Sequence, residues 1–366
     1  MVRAELSVPV VFVSSHAKAG GAERYLETLV ESLGASWVKR VVCLEEGPLA
    51  ERLRTAGVPT EVLPTSPRAL GIVGSALRLR RLLARERPAV VHANGIKAAL
   101  VSVLATRLPV VWVKHDFSFD GALARLVAAR CRRVVGVSEA VTRTFPAATR
   151  RRKVDVVHNG LPEVSRDRRQ GRRLLEEALG APPGDAVALV SRLDPVKGHR
   201  ELLAVAPGLL ERRPELRLVF IGGPDASHEG YEAELRQEVL EQGLEEAVAF
   251  LGQVEDAEAL ISGCDLLAIP TVVAEGFPYV GLEAMAVGTP VVGYAHGGVP
   301  ELLGSCGGLV PVGDRAALAA EIARLLGDDG ARDDLAACGR ERVAREFSLE
   351  PMVEAMKDRY RQAAGN

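Results

Sequence analysis

The chain lacks the marks of several large protein classes. Arg, Glu, Gly or Pro breaks every long apolar stretch of its 366 residues. No run of about eighteen apolar residues survives, so nothing reads as a membrane-spanning helix. The opening MVRAELSVPVVFVSS has neither a long apolar core nor a small-residue cleavage site, and is read as carrying no signal peptide. Five cysteines, Cys43, Cys131, Cys264, Cys306 and Cys338, are scattered. With no Cys-x-x-Cys pair and no even count, they suggest no disulfide framework and fit a reducing cytoplasm. There is no large excess of either charge, since the formal net charge is -2, and this argues against nucleic acid as a partner. One local asymmetry remains, the stretch 125–173 bounded by Arg125 and Arg173, with many arginines and few acids. It reads either as a face for anionic lipid at the inner side of a membrane or as a solvated surface. Also missing are the G-x-G-x-x-G spacing of dinucleotide sites and the Gly-Lys-Ser/Thr ending of a P-loop, which weakens an oxidoreductase or kinase reading. No Asp-x-Asp motif or His/Cys cluster has metal-ligand spacing, so no metal is expected.

What is present is 48% apolar content, enough for two domains that each bury a core. Short β-branched runs at 8–14, 38–44, 89–93, 109–115 and 132–138 alternate with amphipathic stretches such as 22–34 and 76–88. This alternation predicts a parallel sheet with crossover helices. After 153–162 and a polar, arginine-rich stretch, the alternation restarts with runs at 186–193, 216–223, 247–252, 265–271, 290–294 and 307–313. The expected fold class is α/β, with two Rossmann-like doubly wound domains, 1–165 and 166–347, parting near 161–172. Their central cleft would face the carboxyl ends of the strands, where open α/β sheets bind ligands. A final helical pattern breaks near Phe347 and Ser348.

The strongest motif is AEGFPYVGLEAMAVGTPVV, in which Glu275 and Glu283 flank a Gly276-Phe277-Pro278 turn that opens a helix. A helix start offers unpaired N–H groups and partial positive charge, which suit a diphosphate, and Pro278 suits the first turn. VSRLDPVKGHREL sets Arg192 just beyond a strand and Lys197 after a turn holding Asp194 and Pro195. Alone this is a solvated loop; beside the glutamate pair it supplies cations for phosphate oxygens. Gly20 and Gly21 lie between a strand and a helix, either as a plain tight turn or where backbone amides approach a ligand. His115 closes the strand VVWVKHD, while His92 in VVHANG, with Asn94 and Lys97 beside it, reads either as an acceptor-side group or as a loop residue.

The Glu275 and Glu283 motif resembles the twin-glutamate signature of glycosyltransferase family four, a large family of retaining GT-B enzymes. The resemblance runs from about Gly20 to the carboxyl end, through Ser138, Asn159, Gly252, Gln253, Val254, Gly297, Gly298 and Glu301. It implies a GT-B fold whose terminal segment, 348–366, packs back on the first domain. It further implies metal-independent, retaining transfer of a hexosyl-type sugar from a nucleotide diphosphate donor, UDP-sugar favoured, to a hydroxyl acceptor. That acceptor would belong to glycan, glycolipid or secondary-metabolite synthesis. No cofactor is implied, the donor being a substrate. By the same resemblance Arg192 and Lys197 grip the diphosphate, Glu283 takes the ribose hydroxyls and Glu275 orients the donor sugar. Gly276, Phe277 and Pro278 belong to the donor site, Gly252 and Val254 lie near the base, and Gly20 and Gly21 approach the donor phosphate or the acceptor. His115 touches the donor sugar, and His92, Asn94 and Lys97 stay on the acceptor side. Rival readings are a GT-B nucleotide-sugar epimerase or hydrolase, and a non-catalytic nucleotide-sugar-binding module.

Overall fold

The computed structural model describes residues 7–18, 20–66, 68–225 and 227–365. Residues 1–6, on which the leader reading partly rests, lie outside that set. The chain forms two compact units, one made of the residues up to Gly160 together with those from Leu349 on, the other of Leu161–Ser348.

In the first unit the strands are β1 (Val10–Ser14), β2 (Val38–Cys43), β3 (Thr60–Val62), β4 (Val90–Asn94), β5 (Val110–Lys114), β6 (Arg133–Gly136) and β7 (Val154–Val156). They pair in parallel in the order β3-β2-β1-β4-β5-β6-β7. Helices cover both faces of such a sheet, so its central strands are apolar on both sides, as the fully buried β1, β4 and β5 are. The two edge strands have three half-buried residues each, TEV and VDV. β3 went unseen in the sequence because so short and polar a run has no apolar signature. One face of the sheet is covered by the helices Ala69–Glu86, Ile96–Ala105 and Ala122–Arg130, whose buried sides join Val11, Val91, Trp112 and Val134 in one core. The terminal helix Leu349–Ala364 also belongs to this unit. It buries Met352, Val353, Met356, Tyr360 and Ala363, a single face at helical spacing.

The second unit has β8 (Asp185–Val190), β9 (Leu216–Ile221), β10 (Val248–Gly252), β11 (Leu266–Ile269), β12 (Val291–Tyr294) and β13 (Gly308–Val310), parallel in the order β10-β9-β8-β11-β12-β13. Its core gathers Leu189, Phe220, Leu266 and Val292 from the sheet with Leu202, Leu318 and Ile322 from helices. Three of its helices start on aspartates that accept from a backbone N–H three residues on: Asp256 from Ala259 at 3.0 Å, and Asp314 from Ala317 and Asp328 from Ala331, both at 2.9 Å. Such caps satisfy donors that would otherwise be unpaired, at about 1 kcal/mol each.

The structure adds to two of the expectations. Part of the charge in the stretch 125–173 is used internally, while Arg125, Arg130, Arg132, Arg143, Arg151 and Arg152 are exposed and make no ion pair among the described residues. Lys153 Nζ donates to the carbonyls of Ala128, Ala129 and Cys131, Arg133 pairs with Asp155, and Arg168 and Arg172 both hold Asp265. The cysteines are also not all unpaired. Cys306 and Cys338 form a disulfide with Cα atoms 5.2 Å apart, while Cys43, Cys131 and Cys264 are free and buried. Tertiary packing brings that pair together from 32 residues apart, so no local spacing announced it. No helix among the described residues is long and apolar enough to cross a membrane.

Candidate functional site

In each sheet the strand order reverses once, between β1 and β4 in the first unit and between β8 and β11 in the second. Loops leaving adjacent strands in opposite directions open a crevice at such a point. The candidate residues sort onto these two places.

In the second unit, β8 runs into Arg192 and then a short 3-10 turn, Pro195–Lys197, whose start is fixed by Asp194 accepting from Val196 N–H at 3.1 Å. β11 runs into Thr271, whose hydroxyl donates to Val196 O at 3.0 Å, and Val272 N–H donates to the same carbonyl at 3.0 Å. The two loops are therefore stitched together. The result is that Lys197 Nζ meets Glu275 Oε1 at 2.5 Å across 78 residues of chain, both side chains about one-fifth exposed, at 23% and 21%. After the Gly276-Phe277-Pro278 turn the helix Tyr279–Val287 begins, carrying Glu283. Backbone packs directly on this turn: a Cβ on Gly297 would lie 2.1 Å from Glu275 O, and one on Gly298 1.9 Å from Gly276 O. Gly298 N–H also donates to Glu275 O at 2.7 Å. The glycine pair read from the sequence as a following loop is thus the mould for the glutamate turn. Gly252 ends β10 with φ +65 and open space around its Cβ direction, and Val254 is half-buried just beyond it.

Arg192 is not idle, because its guanidinium is ion-paired with Asp225, a residue in the loop after β9 that the sequence reading passed over. Asp194, Asp225 and His228 offer three ligand-type atoms within 4.8 Å of one another. Both carboxylates are already in use, Asp194 on Val196 N–H and Asp225 on Ser227 N–H and Arg192, so the donor set does not fit a metal centre.

In the first unit, His115 leaves β5 and its Nε2 lies 2.6 Å from Asn94 Oδ1. Asn94 Nδ2 donates to Ala22 O at 2.9 Å, which fixes the amide so that its oxygen faces the histidine. His115 Nε2 therefore carries the hydrogen, and Nδ1 is left as an acceptor. The ring of Tyr25 stands edge-on to His115 at 4.9 Å. His92 is wholly buried and Nδ1 lies 2.7 Å from the Tyr360 hydroxyl of the terminal helix. An interior ring cannot reach an acceptor, so the acceptor-side reading of His92 gives way to a structural role. Asn94 likewise is buried and serves His115. Lys97, at the start of the helix Ile96–Ala105, sits 3.4 Å from Glu45. Gly20 caps the helix Gly21–Leu33 in an extended conformation, φ -169, so no left-handed backbone requires glycine there.

Burial pushes His92 down to about 3 and His115 and His199 down to about 4. All three stay neutral when folded, whereas in the unfolded chain they take up protons below about pH 6.5. The unfolded state then binds more protons, so stability is lost as pH falls from about 6.5 towards 4, with a slope approaching 1.4 kcal/mol per pH unit for each ring. The urea midpoint should fall steeply between pH 7 and pH 5; a flat midpoint there would show that the rings protonate in the folded chain without penalty.

Two family profiles match the chain: Glycosyltransferase Family 4 over residues 19–163 and Glycosyl transferases group 1 over residues 173–342. The D-inositol 3-phosphate glycosyltransferase of Salinispora arenicola is 35% identical over 225 residues, covering 58% of this chain and 50% of that protein. The phosphatidyl-myo-inositol mannosyltransferase of Mycobacterium leprae is 38% identical over 167 residues, 44% of this chain and 42% of that one. The chain thus spans about half the length of the curated relatives it matches. Among solved structures, Anabaena Alr3699/HepE in complex with UDP superposes with a TM-score of 0.86 at 25% identity, covering 97% of this chain and 100% of that one.

Proposed function

Because the chain belongs to the Family 4 glycosyltransferases and has their GT-B fold, we propose that it transfers a hexosyl sugar from a UDP-sugar to a hydroxyl acceptor, retaining configuration and using no metal. The observation that carries this reading is the meeting of Lys197 with Glu275 where the helix Tyr279–Val287 begins, in the unit that also presents Arg192. In the free protein each charge is neutralised by a partner, Lys197 by Glu275 and Arg192 by Asp225. An arriving diphosphate exchanges with those carboxylates, taking the two cations and the helix-start N–H groups. Glu275, released, accepts a hydrogen bond from a sugar hydroxyl, and Glu283 accepts from the ribose. As the bond from the anomeric carbon to the phosphate oxygen breaks, its electron pair moves onto the diphosphate, where preorganised cations stabilise the growing charge. The acceptor oxygen bonds to the anomeric carbon on the same face, and its proton passes to the departing phosphate. His115, neutral at working pH with Nδ1 free, acts by hydrogen bonding rather than as an acid.

The named relatives act on inositol 3-phosphate and phosphatidyl-myo-inositol, which makes phosphorylated polyols the first acceptors to screen. Structures of Anabaena HepE hold UDP and glucose, which supports UDP-glucose as the first donor. Free UDP should rise when a competent acceptor is added to protein and UDP-sugar, and should do so in excess EDTA. Equal release with and without any acceptor would instead mark a hydrolase. Loss of activity in EDTA that Mg²⁺ or Mn²⁺ restores would refute the metal-free mechanism.

A further inference from the structure

We propose that Asp225 competes with the bound diphosphate for Arg192, and that by reclaiming this arginine it promotes release of the spent nucleotide. The inference rests on the donor-site reading above and adds a residue to it. Arg192 follows β8 and Asp225 lies in the loop after β9, and backbone laces the two loops together. Ser191 N–H donates to Ile221 O and Leu193 N–H to Gly223 O, both at 2.9 Å, and Leu193 forms a parallel bridge with Pro224. A Cβ on Gly222, whose φ is +140, would lie 1.9 Å from Ser191 O, so only glycine allows so close an approach. The carboxylate is fixed as well. Asp225 Oδ1 accepts from Ser227 N–H at 2.8 Å, and Asp225 O accepts from His228 N–H at 2.8 Å.

Only one member of the pair is free to move. The Asp225 side chain is 3% exposed, whereas Arg192, on a long flexible stem, is 43% exposed. Its guanidinium can swing to phosphate oxygens, and the carboxylate cannot follow. Asp225 is then left buried without its cation, and a carboxylate oxygen of Asp194, itself a buried residue, lies within 4.8 Å. The third member of that cluster, His228, is 3.9 Å from Asp194, beyond hydrogen-bond reach. Like charges repel at such a distance, and a buried charge deprived of its partner is strongly destabilising. The other pair differs, because Glu275 keeps access to water and can take a sugar hydroxyl when Lys197 leaves it. The force that returns a cation to its carboxylate therefore comes from Asp225. With the donor intact, contacts to the sugar and the diphosphate together outweigh it. Once the sugar has gone, the diphosphate alone must hold Arg192 against Asp225.

The test is titration calorimetry of the whole chain with UDP, joined to stopped-flow measurement of UDP dissociation, at one pH and one salt concentration. It needs no acceptor. Asp225→Asn keeps the size of the side chain and can still accept from Ser227 N–H, yet lacks the charge. It should bind UDP about tenfold more tightly than wild type, mostly through slower dissociation. Asp225→Ser, whose hydroxyl can also accept from Ser227 N–H, should shift affinity the same way and serves if the asparagine variant does not fold. Arg192→Gln should weaken UDP, and adding Asp225→Asn to it should then change little, because Asp225 acts through Arg192. The proposal is overturned if the folded Asp225 variants bind UDP no more tightly than wild type, the result expected of a carboxylate that merely orients Arg192 or holds its loop. It is equally overturned if Asp225→Asn tightens binding as much without Arg192 as with it, which would mark a general effect of charge. A wild type that binds no UDP would refute the donor-site reading, and this proposal with it.

Discussion

Lys197→Ala is expected to lower turnover by about two to three orders of magnitude, the usual result of removing one preorganised contact to a charge that grows in the transition state. The fold should survive, because the side chain is only partly buried, at 23% exposed, and its partner Glu275 keeps access to water at 21%. Glu275→Gln separates two explanations. If Lys197 acts on the diphosphate and Glu275 on the sugar, each single variant removes its own interaction, and the double variant shows strong coupling because the two groups touch. Steady-state rates and nucleotide binding for the four proteins measure this. Wild-type turnover in a folded Lys197→Ala protein would remove Lys197 from the site.

Gly198→Ala should be nearly as damaging through the backbone alone. Gly198 follows Lys197 with φ +86, and a Cβ there would lie 2.0 Å from the carbonyl oxygen of Pro270. The left-handed conformation by itself costs an alanine about 1 kcal/mol. The contact costs more, because backbone on both sides must move and the loops that bring Lys197 to Glu275 must separate. Gly180 is the control: its φ is +72, yet no atom lies within 4 Å of its Cβ position. Gly180→Ala should lower stability by about 1 kcal/mol and leave turnover unchanged, whereas Gly198→Ala should lose at least twice that stability and most of its activity. Equal denaturation midpoints for the two would show that the approach of Pro270 is relieved cheaply.

The sequence by itself determined the layer pattern and the chemistry of the strongest motif. Apolar runs of β-branched residues are buried on both faces of a parallel sheet, so β1, β5, β8 and β12 announced themselves by composition alone. Glu275, Glu283, Arg192 and Lys197 stood out because residue type and loop position were enough to suggest phosphate and sugar binding. Only the tertiary structure decided which groups meet. Lys197 finds Glu275 across 78 residues, His115 finds Asn94 across 21, and Cys306 finds Cys338 across 32. It also decided burial, turning His92 from a candidate ligand into the interior partner of Tyr360. The physical reason is common to all of these: periodicity and propensity act within a few residues, whereas pairing and burial are set by how strands and loops distant in the chain pack against one another.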